Sequence, residues 1–342
     1  MVKYLTITLI IGVLTAFLPF FSSNIVAQQS TNHDNQKDTN FNIAVASDWG
    51  CDENAQTTAK NIQSKDPELV IAGGDASYEK SASCWFEIIQ PFKSKLKIAM
   101  GDHEYSDTSG GATGVINQYL KPLNLAKTYY SYDLNNAHFV FIDPYIDYKP
   151  GSAQYQFIEN DLKTASTNPN IDWRFVVESV PMYTSPSKHP ADSNIRDIYH
   201  PLFDKYKVDV VFNSDNHNYQ RTFPLKYNSS DSSNPIIANE NQVTNNKENN
   251  NNEGVIYLVT GTAGRSLYEL EGQAPYVVKQ DDKHYGFINI KINDKILEMD
   301  FHANANVVRG KFNYYSINYQ NNLIDQFTLS KIKTAINDFD KF

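Results

Sequence analysis

Glu68-Leu69-Val70-Ile71-Ala72-Gly73-Gly74-Asp75-Ala76-Ser77-Tyr78 is the stretch on which the reading of this chain turns. Its first half is a continuous apolar run, the pattern of a strand buried on both faces. Two glycines then let the backbone turn sharply and leave a carboxylate at the strand's carboxyl end, where ligands of open α/β sheets sit. Tyr78 brings a phenol to the same place three residues later. A carboxylate so placed can bridge two cations. Taken alone the stretch is a Gly-Asp turn, so its weight depends on what its neighbours do.

Both neighbours repeat it. Phe41–Ser47 reads as a strand ending at Asp48-Trp49-Gly50, followed by helical spacing over Asn54–Ser64 with Asp52 as N-cap. Ser81–Phe92 reads as a second helix, and Leu96–Met100 as a short strand ending at Gly101-Asp102-His103-Glu104. Three consecutive strand–loop units that each end in an acid bring those acids to one sheet edge. Gly110–Gly114 reads as a loop. Tyr129–Asp133 and His138–Ile142 alternate about Asn135-Asn136 as a hairpin, in which His138 packs. Helical spacing returns at Ser152–Ser166 and Asn194–Lys205. Trp173–Val177 and Val208–Phe212 read as strands, the second ending at Ser214-Asp215-Asn216-His217. Val255–Thr260 is a further strand before the Gly261–Gly264 turn. Tyr285–Ile292, Ile296–Phe301 and Phe312–Tyr319 read as an antiparallel run closing a second sheet.

The chain has 342 residues and a net charge of -9, which makes nucleic acid or an acidic membrane surface an unsuitable partner. Residues 1–27 carry Lys3, an apolar segment over Tyr4–Phe21 and a small-residue site at Ile25-Val26-Ala27, the pattern of a secretory leader. The apolar segment is also near bilayer length, so an N-terminal anchor is the alternative. Both place the domain outside the cytoplasm, secreted or held at the outer face of the membrane. The two cysteines, Cys51 and Cys84, each follow a loop bearing one of the acids, and in an exported chain they read as a disulfide. Residues 28–40 read as a flexible tether and 41–330 as the domain. The Asn- and Ser-rich stretch at 228–253 reads as a disordered insertion, and 331–342 as a tail.

The strand-end motifs resemble, in order and spacing, those of the purple acid phosphatases and the wider calcineurin-like metallophosphoesterases. They are Asp48-Trp49-Gly50, Gly74-Asp75-Ala76-Ser77-Tyr78, Gly101-Asp102-His103-Glu104, Val176-Val177-Glu178-Ser179 and Ser214-Asp215-Asn216-His217. The similarity runs from about residue 42 to about residue 320. It implies a four-layer α/β/β/α sandwich of two mixed sheets flanked by helices. It also implies a dinuclear metal centre and hydrolysis of phosphate esters, in a phosphorylated small molecule or a phosphoprotein, by attack of a metal-bound hydroxide. By that resemblance Asp48, Asp75, Tyr78 and His217 hold the first metal. The second metal falls to Asp75, Asp102, Ser179 and Asp215, where the family has an Asn and two His in place of the last three. His103 and, ten residues after Ser179, His189 take the positions of outer-sphere catalytic histidines. The loops Ser106–Asn117 and Thr184–Ser193 would face the substrate.

The departures have physical consequences. Tyr78 ligates strongly only as phenolate, and against a free pKa of about 10 a trivalent ion such as Fe³⁺ suits it best. An all-oxygen second site shifts preference from Zn²⁺ toward Mg²⁺, Ca²⁺ or Mn²⁺ among the divalent ions (Mn, Mg, Ca, Fe or Zn) that could occupy it. The ligand set holds four carboxylates and a phenolate, Asp48, Asp75, Asp102, Asp215 and Tyr78, which weakens attraction for an anionic ester. A weakened homologue that binds a metal or an anion without turnover is therefore the alternative. Strand alternation points Glu178 away from Ser179, and only a one-residue bulge would exchange them. Arg221 reads as a structural residue bonding carbonyls behind the site.

Overall fold

Strand alternation builds this molecule in four layers. The computed structural model describes residues 40–105, 112–238, 254–304, 307–309, 315–317 and 323–331. The leader or anchor and residues 28–39 lie outside the described residues. So do 106–111, 239–253 and the chain beyond Lys331. Among the described residues no helix is long and apolar enough to cross a membrane.

The first sheet starts with three parallel strands, β1 (Asn40–Ala46), β2 (Leu69–Ala72) and β3 (Leu96–Ile98). They are linked by α1 (Glu53–Ser64) and by α2 (Ser83–Ile88) with a following 3₁₀ turn (Gln90–Lys95). Asp52 caps α1 by accepting from the amides of Asn54 and Ala55. The single helix expected over Ser81–Phe92 divides because Pro91 has no amide to donate and Phe92 leaves the helical region at φ -127°. Two short helices follow, α3 (Asp102–Tyr105) and α4 (Ala112–Leu120). The last of these takes up part of the stretch read as a loop over Gly110–Gly114.

The second sheet opens with the hairpin β4 (Tyr130–Leu134) and β5 (Ala137–Phe141), then α5 (Ala153–Thr167), β6 (Trp173–Val177), α6 (Ser193–Tyr206) and β7 (Val210–Asn213). Next come β8 (Tyr219–Thr222), the pair β9 (Leu225–Lys226) and β10 (Ile236–Ile237), β11 (Ile256–Thr260) and β12 (Val277–Asp281). Strands β5, β6, β7 and β11 run parallel at its centre, flanked by antiparallel β4, β8 and β12. The chain then returns to the first sheet with β13 (Gly286–Asn293) and β14 (Ile296–Ala303). A small pair follows, β15 (Val307–Arg309) and β16 (Tyr315–Ile317), and then β17 (Leu323–Ser330). The strand orders are β17-β14-β13-β1-β2-β3 and β12-β8-β11-β7-β6-β5-β4.

Two expectations are corrected here. The antiparallel run extends the sheet of β1 by pairing β13 with β1, and Leu323–Ser330 closes it instead of Phe312–Tyr319. Residues 228–238 of the expected insertion are ordered. Asp231 collects bonds from Ser233 and Asn234, Ile236–Ile237 pair with β9, and Ser232 accepts from Arg196. Polar composition misled there because side chain–backbone turns replace an apolar core. Asn40 likewise belongs to β1, not to the tether.

Alternation sends Phe41, Ile43 and Val45 of β1 and Trp173, Phe175 and Val177 of β6 between the sheets. Ala44 and Ala46 face α1 and α2, while Val176 faces α5 and α6. The sheets are further tied through polar groups. Arg221 on β8 donates to the Asp325 carboxylate on β17 from Nε at 2.6 Å and Nη2 at 2.9 Å, and Tyr219 adds its hydroxyl at 2.7 Å. Arg221 thus binds a buried carboxylate, not carbonyls as expected. His138 sits in its strand pair as expected, bonded by Nδ1 to Asp133 at 2.6 Å and by Nε2 to Asp161 at 2.8 Å. Breaking a buried pair leaves an uncompensated charge. Asp325→Ala should therefore lower unfolding stability by about 3–5 kcal/mol in urea titrations. A loss below about 1 kcal/mol would mean the pair contributes no more than an exposed one.

Candidate metal centre

The carboxyl ends of β1, β2 and β3 are laced by backbone bonds that continue past the strands. The amides of Asp48, Trp49 and Gly50 donate to the carbonyls of Gly74, Asp75 and Ala76 at 2.9–3.2 Å. Glu104, fully buried in α3, accepts from the amides of Asp75, Ala76 and Gly101 at 2.8–2.9 Å. Burial pushes its carboxyl up to about 7 against the pull of those three donors. Gly101 has to be glycine, since a Cβ there would lie 1.9 Å from Asp75 Oδ1. The Cys51–Cys84 disulfide, with Cα atoms 5.9 Å apart, joins the segments that follow the Asp48 and Asp75 loops.

This lacing holds four non-glycine site residues in the left-handed region: Asp48 (φ 59°), Asp75 (54°), Tyr78 (59°) and Asp215 (69°). Their side chains converge. Tyr78 Oη lies 2.9 Å from Asp48 Oδ1, 3.3 Å from Asp75 Oδ2 and 2.9 Å from His217 Nε2. His217 Nε2 is 3.3 Å from Asp48 Oδ1. His217 Nδ1 donates to the Ser266 carbonyl at 2.7 Å, which fixes the tautomer and turns the Nε2 lone pair toward the other three ligands. Adjacent ligand atoms around one six-coordinate transition ion are about 3 Å apart. The four groups expected at the first metal thus already have the mutual spacing of a coordination shell, and the donor set fits a hard, highly charged ion.

The second half is looser. Asp75, Asp102 and His103 bring ligand atoms within 4.8 Å of one another. Asp215 joins by its amide, bonded to Asp48 Oδ2 at 3.2 Å, and its Oδ2 lies 3.6 Å from His189 Nδ1. Asn216 fixes the His189 backbone in both directions, accepting its N–H at 2.9 Å and donating to its carbonyl at 2.8 Å. Ser179 Oγ is buried without a hydrogen bond of acceptable geometry, an orphaned oxygen that a cation would satisfy. Glu178 points the other way, its carboxylate bonded by Val180 N and Asn213 Nδ2, so it does not replace the missing imidazole.

Electrostatics mark the site as a cation receptor. Burial first, and then Asp48, Glu104, Asp102 and Asp215, push Asp75 well above the carboxylate range. Burial, Asp48 and Asp102 push Asp215 up to about 7, opposed by His217 and Lys188. The Tyr78 phenol is raised by burial and by Asp48 and Asp75. A multivalent cation reverses each of these effects. Burial holds His103 and His189 below the usual imidazole value.

Four residues here escaped the sequence reading. Glu104 was visible in its motif but carried no stated role. Tyr268 stacks on His217 at 3.8 Å, Tyr145 lies beside Ser179 facing Asp75, Asp102 and Asp215, and Arg265 sits over Tyr78. Tyr145 and Tyr268 come from loops without a motif, and Arg265 directly follows the Gly261–Gly264 turn but carried no stated role.

A family model for calcineurin-like phosphoesterases matches residues 41–219, more than half of the chain. The chain belongs to that family. It is 29% identical to "Probable inactive purple acid phosphatase 24" of Arabidopsis thaliana over 67% of this chain and 40% of that one. It is 26% identical to "Probable purple acid phosphatase 20" of the same plant, over 58% of this chain and 50% of that one. The chain thus spans about half the length of these curated relatives or less. Its fold superposes on purple acid phosphatase PPD1 from yellow lupin (Lupinus luteus) with a TM-score of 0.66 at 21% identity, covering 86% of this chain and 54% of that one. Family membership implies a dinuclear metal centre.

Glu104→Ala strands three buried amides, each at a cost of about 1–3 kcal/mol. We expect at least about 3 kcal/mol lost in chemical unfolding, and reduced metal uptake, with Glu104→Gln recovering part of both. Unchanged stability and metal content in Glu104→Ala would remove Glu104 from the scaffold of the site.

Proposed function

We propose that this protein is an exported metal-dependent hydrolase of phosphate esters in small molecules or phosphoproteins. The convergence of Asp48, Asp75, Tyr78 and His217 within 2.9–3.3 Å carries the reading. Asp48, Asp75, Tyr78 and His217 would hold Fe³⁺, and Asp75, Asp102, Asp215 and Ser179 a hard divalent ion, with Asp75 shared. Bound ions would supply Lewis acidity toward the phosphoryl oxygens and ionise water near neutral pH. The chain's own residues do the rest. Glu104 fixes the Asp75 loop, and Ser266 sets the His217 tautomer. His103, its ring tilted against Tyr78 at 4.0 Å and partly exposed, delivers a proton to the leaving-group oxygen, with His189 beside Asp215. Export is supported by the leader-like start and by the Cys51–Cys84 disulfide, since such bonds persist in oxidising compartments. Residues 41–330 would form the catalytic domain.

A second reading, binding without turnover, is favoured by one feature. At one metal only, Ser179 and Asp215 stand in place of nitrogen donors and Asp102 in place of a neutral amide oxygen, and several similar proteins are named as probably inactive. The two readings part in assays of the metal-loaded protein on phosphomonoesters and phosphodiesters across added ions. We expect turnover with a hard divalent ion, a loss of about 1,000-fold or more in Asp75→Ala and His103→Ala, and a visible tyrosinate–iron band that vanishes in Tyr78→Phe. Absence of turnover with every added ion, together with turnover gained by the combined Asp102→Asn, Ser179→His and Asp215→His variant, would establish binding without catalysis instead.

A further inference from the structure

We propose that Arg265 is the anion-docking residue of this centre, binding a phosphoryl oxygen of the substrate or of product phosphate on the Tyr78 side of the site. The inference rests on the phosphoesterase reading. The Arg265 amide donates to the Asp48 carbonyl at 2.9 Å, so its backbone is fixed to the strand end that carries a first-site ligand. The preceding Gly264 is held equally close, where a Cβ would meet the Trp49 carbonyl at 2.3 Å. From that anchor the guanidinium reaches over the Tyr78 ring, with Cζ 4.7 Å from its centroid. His103 packs on the same ring at 4.0 Å between centroids.

Arg265 is exposed, and among the described residues no carboxylate pairs with it and no acceptor engages its guanidinium. That is unusual beside so many acids. The other cation at the mouth, Lys188, is engaged with the Tyr268 hydroxyl at 2.9 Å and lies over its ring. Arg265 therefore retains a planar set of free donors that match two phosphoryl oxygens at once. Its position also answers the charge problem of the centre. Four carboxylates repel an anionic ester, and a guanidinium beside them restores local attraction without contributing a ligand.

The test is titration of inorganic phosphate into metal-loaded wild type, Arg265→Ala and Arg265→Lys, alongside steady-state kinetics at low and high salt. In Arg265→Ala we expect phosphate affinity to fall and KM to rise by about tenfold, with kcat within about threefold and the salt dependence of KM flattened. Arg265→Lys should recover part of the affinity. The resting tyrosinate–iron band should stay in place, whereas a merely structural arginine over Tyr78 would shift it. Unchanged phosphate affinity and KM in Arg265→Ala, with wild type active, would overturn this assignment alone. Wild type that binds phosphate through Arg265 without turning an ester over would overturn the hydrolytic reading and support Arg265. Wild type that neither binds phosphate nor turns an ester over would overturn both.

Discussion

The metal centre depends on Glu104 holding two strand ends together. One buried carboxylate accepts from the amides of Asp75, Ala76 and Gly101, and in doing so fixes the end of β2 against the end of β3. The end of β1 is laced to the same segment by backbone bonds. The scaffold works against two opposing costs. Asp48, Asp75, Tyr78 and Asp215 adopt left-handed backbone, at about 1–3 kcal/mol each, and the carboxylates among them repel. Domains are stable by only about 5–15 kcal/mol, so such a site needs a large core beneath it. The three apolar clusters that line the four layers provide it, as do the buried Arg221–Asp325 tie and the disulfide behind the loops.

Much of this was legible in the sequence. Continuous apolar runs locate β1, β2, β6 and β7 because strands buried on both faces leave little room for polar residues. The acids that end them locate the site. Where the sequence misled, a different force decided the structure. Pro91 divided a helix that the apolar spacing joined. Asn- and Ser-rich residues 228–238 ordered themselves through side chain–backbone turns instead of a core. The sheet to which β13, β14 and β17 belong is a matter of long-range pairing, which local pattern does not encode. Arg265 and Tyr268 lie on loops whose amides bond the Asp48 and His217 carbonyls far away in the chain, and Tyr145 lies on a loop that brings it beside Ser179.

The two halves of the centre differ in kind. The first has its ligand atoms already spaced as a shell, with the His217 tautomer fixed by a carbonyl. The second is looser: Asp102 and His103 lie within reach of Asp75, Asp215 bonds Asp48 by its amide, and the Ser179 hydroxyl is buried. Replacing neutral donors by carboxylates raises the local negative charge. It therefore couples the choice of ion to the ability to hold an anionic ester. A harder or more highly charged ion and a guanidinium at the mouth act in the same direction.

The central claim is that Asp75 is shared between two ions, one of them ligated by Tyr78. Anomalous diffraction from crystals grown with iron and manganese tests it directly. The account predicts an iron peak enclosed by Asp48, Asp75, Tyr78 and His217, and a second peak that also contacts Asp75 and lies toward Asp102 and Asp215. A single peak remote from Tyr78, or two peaks that share no Asp75 oxygen, would contradict it.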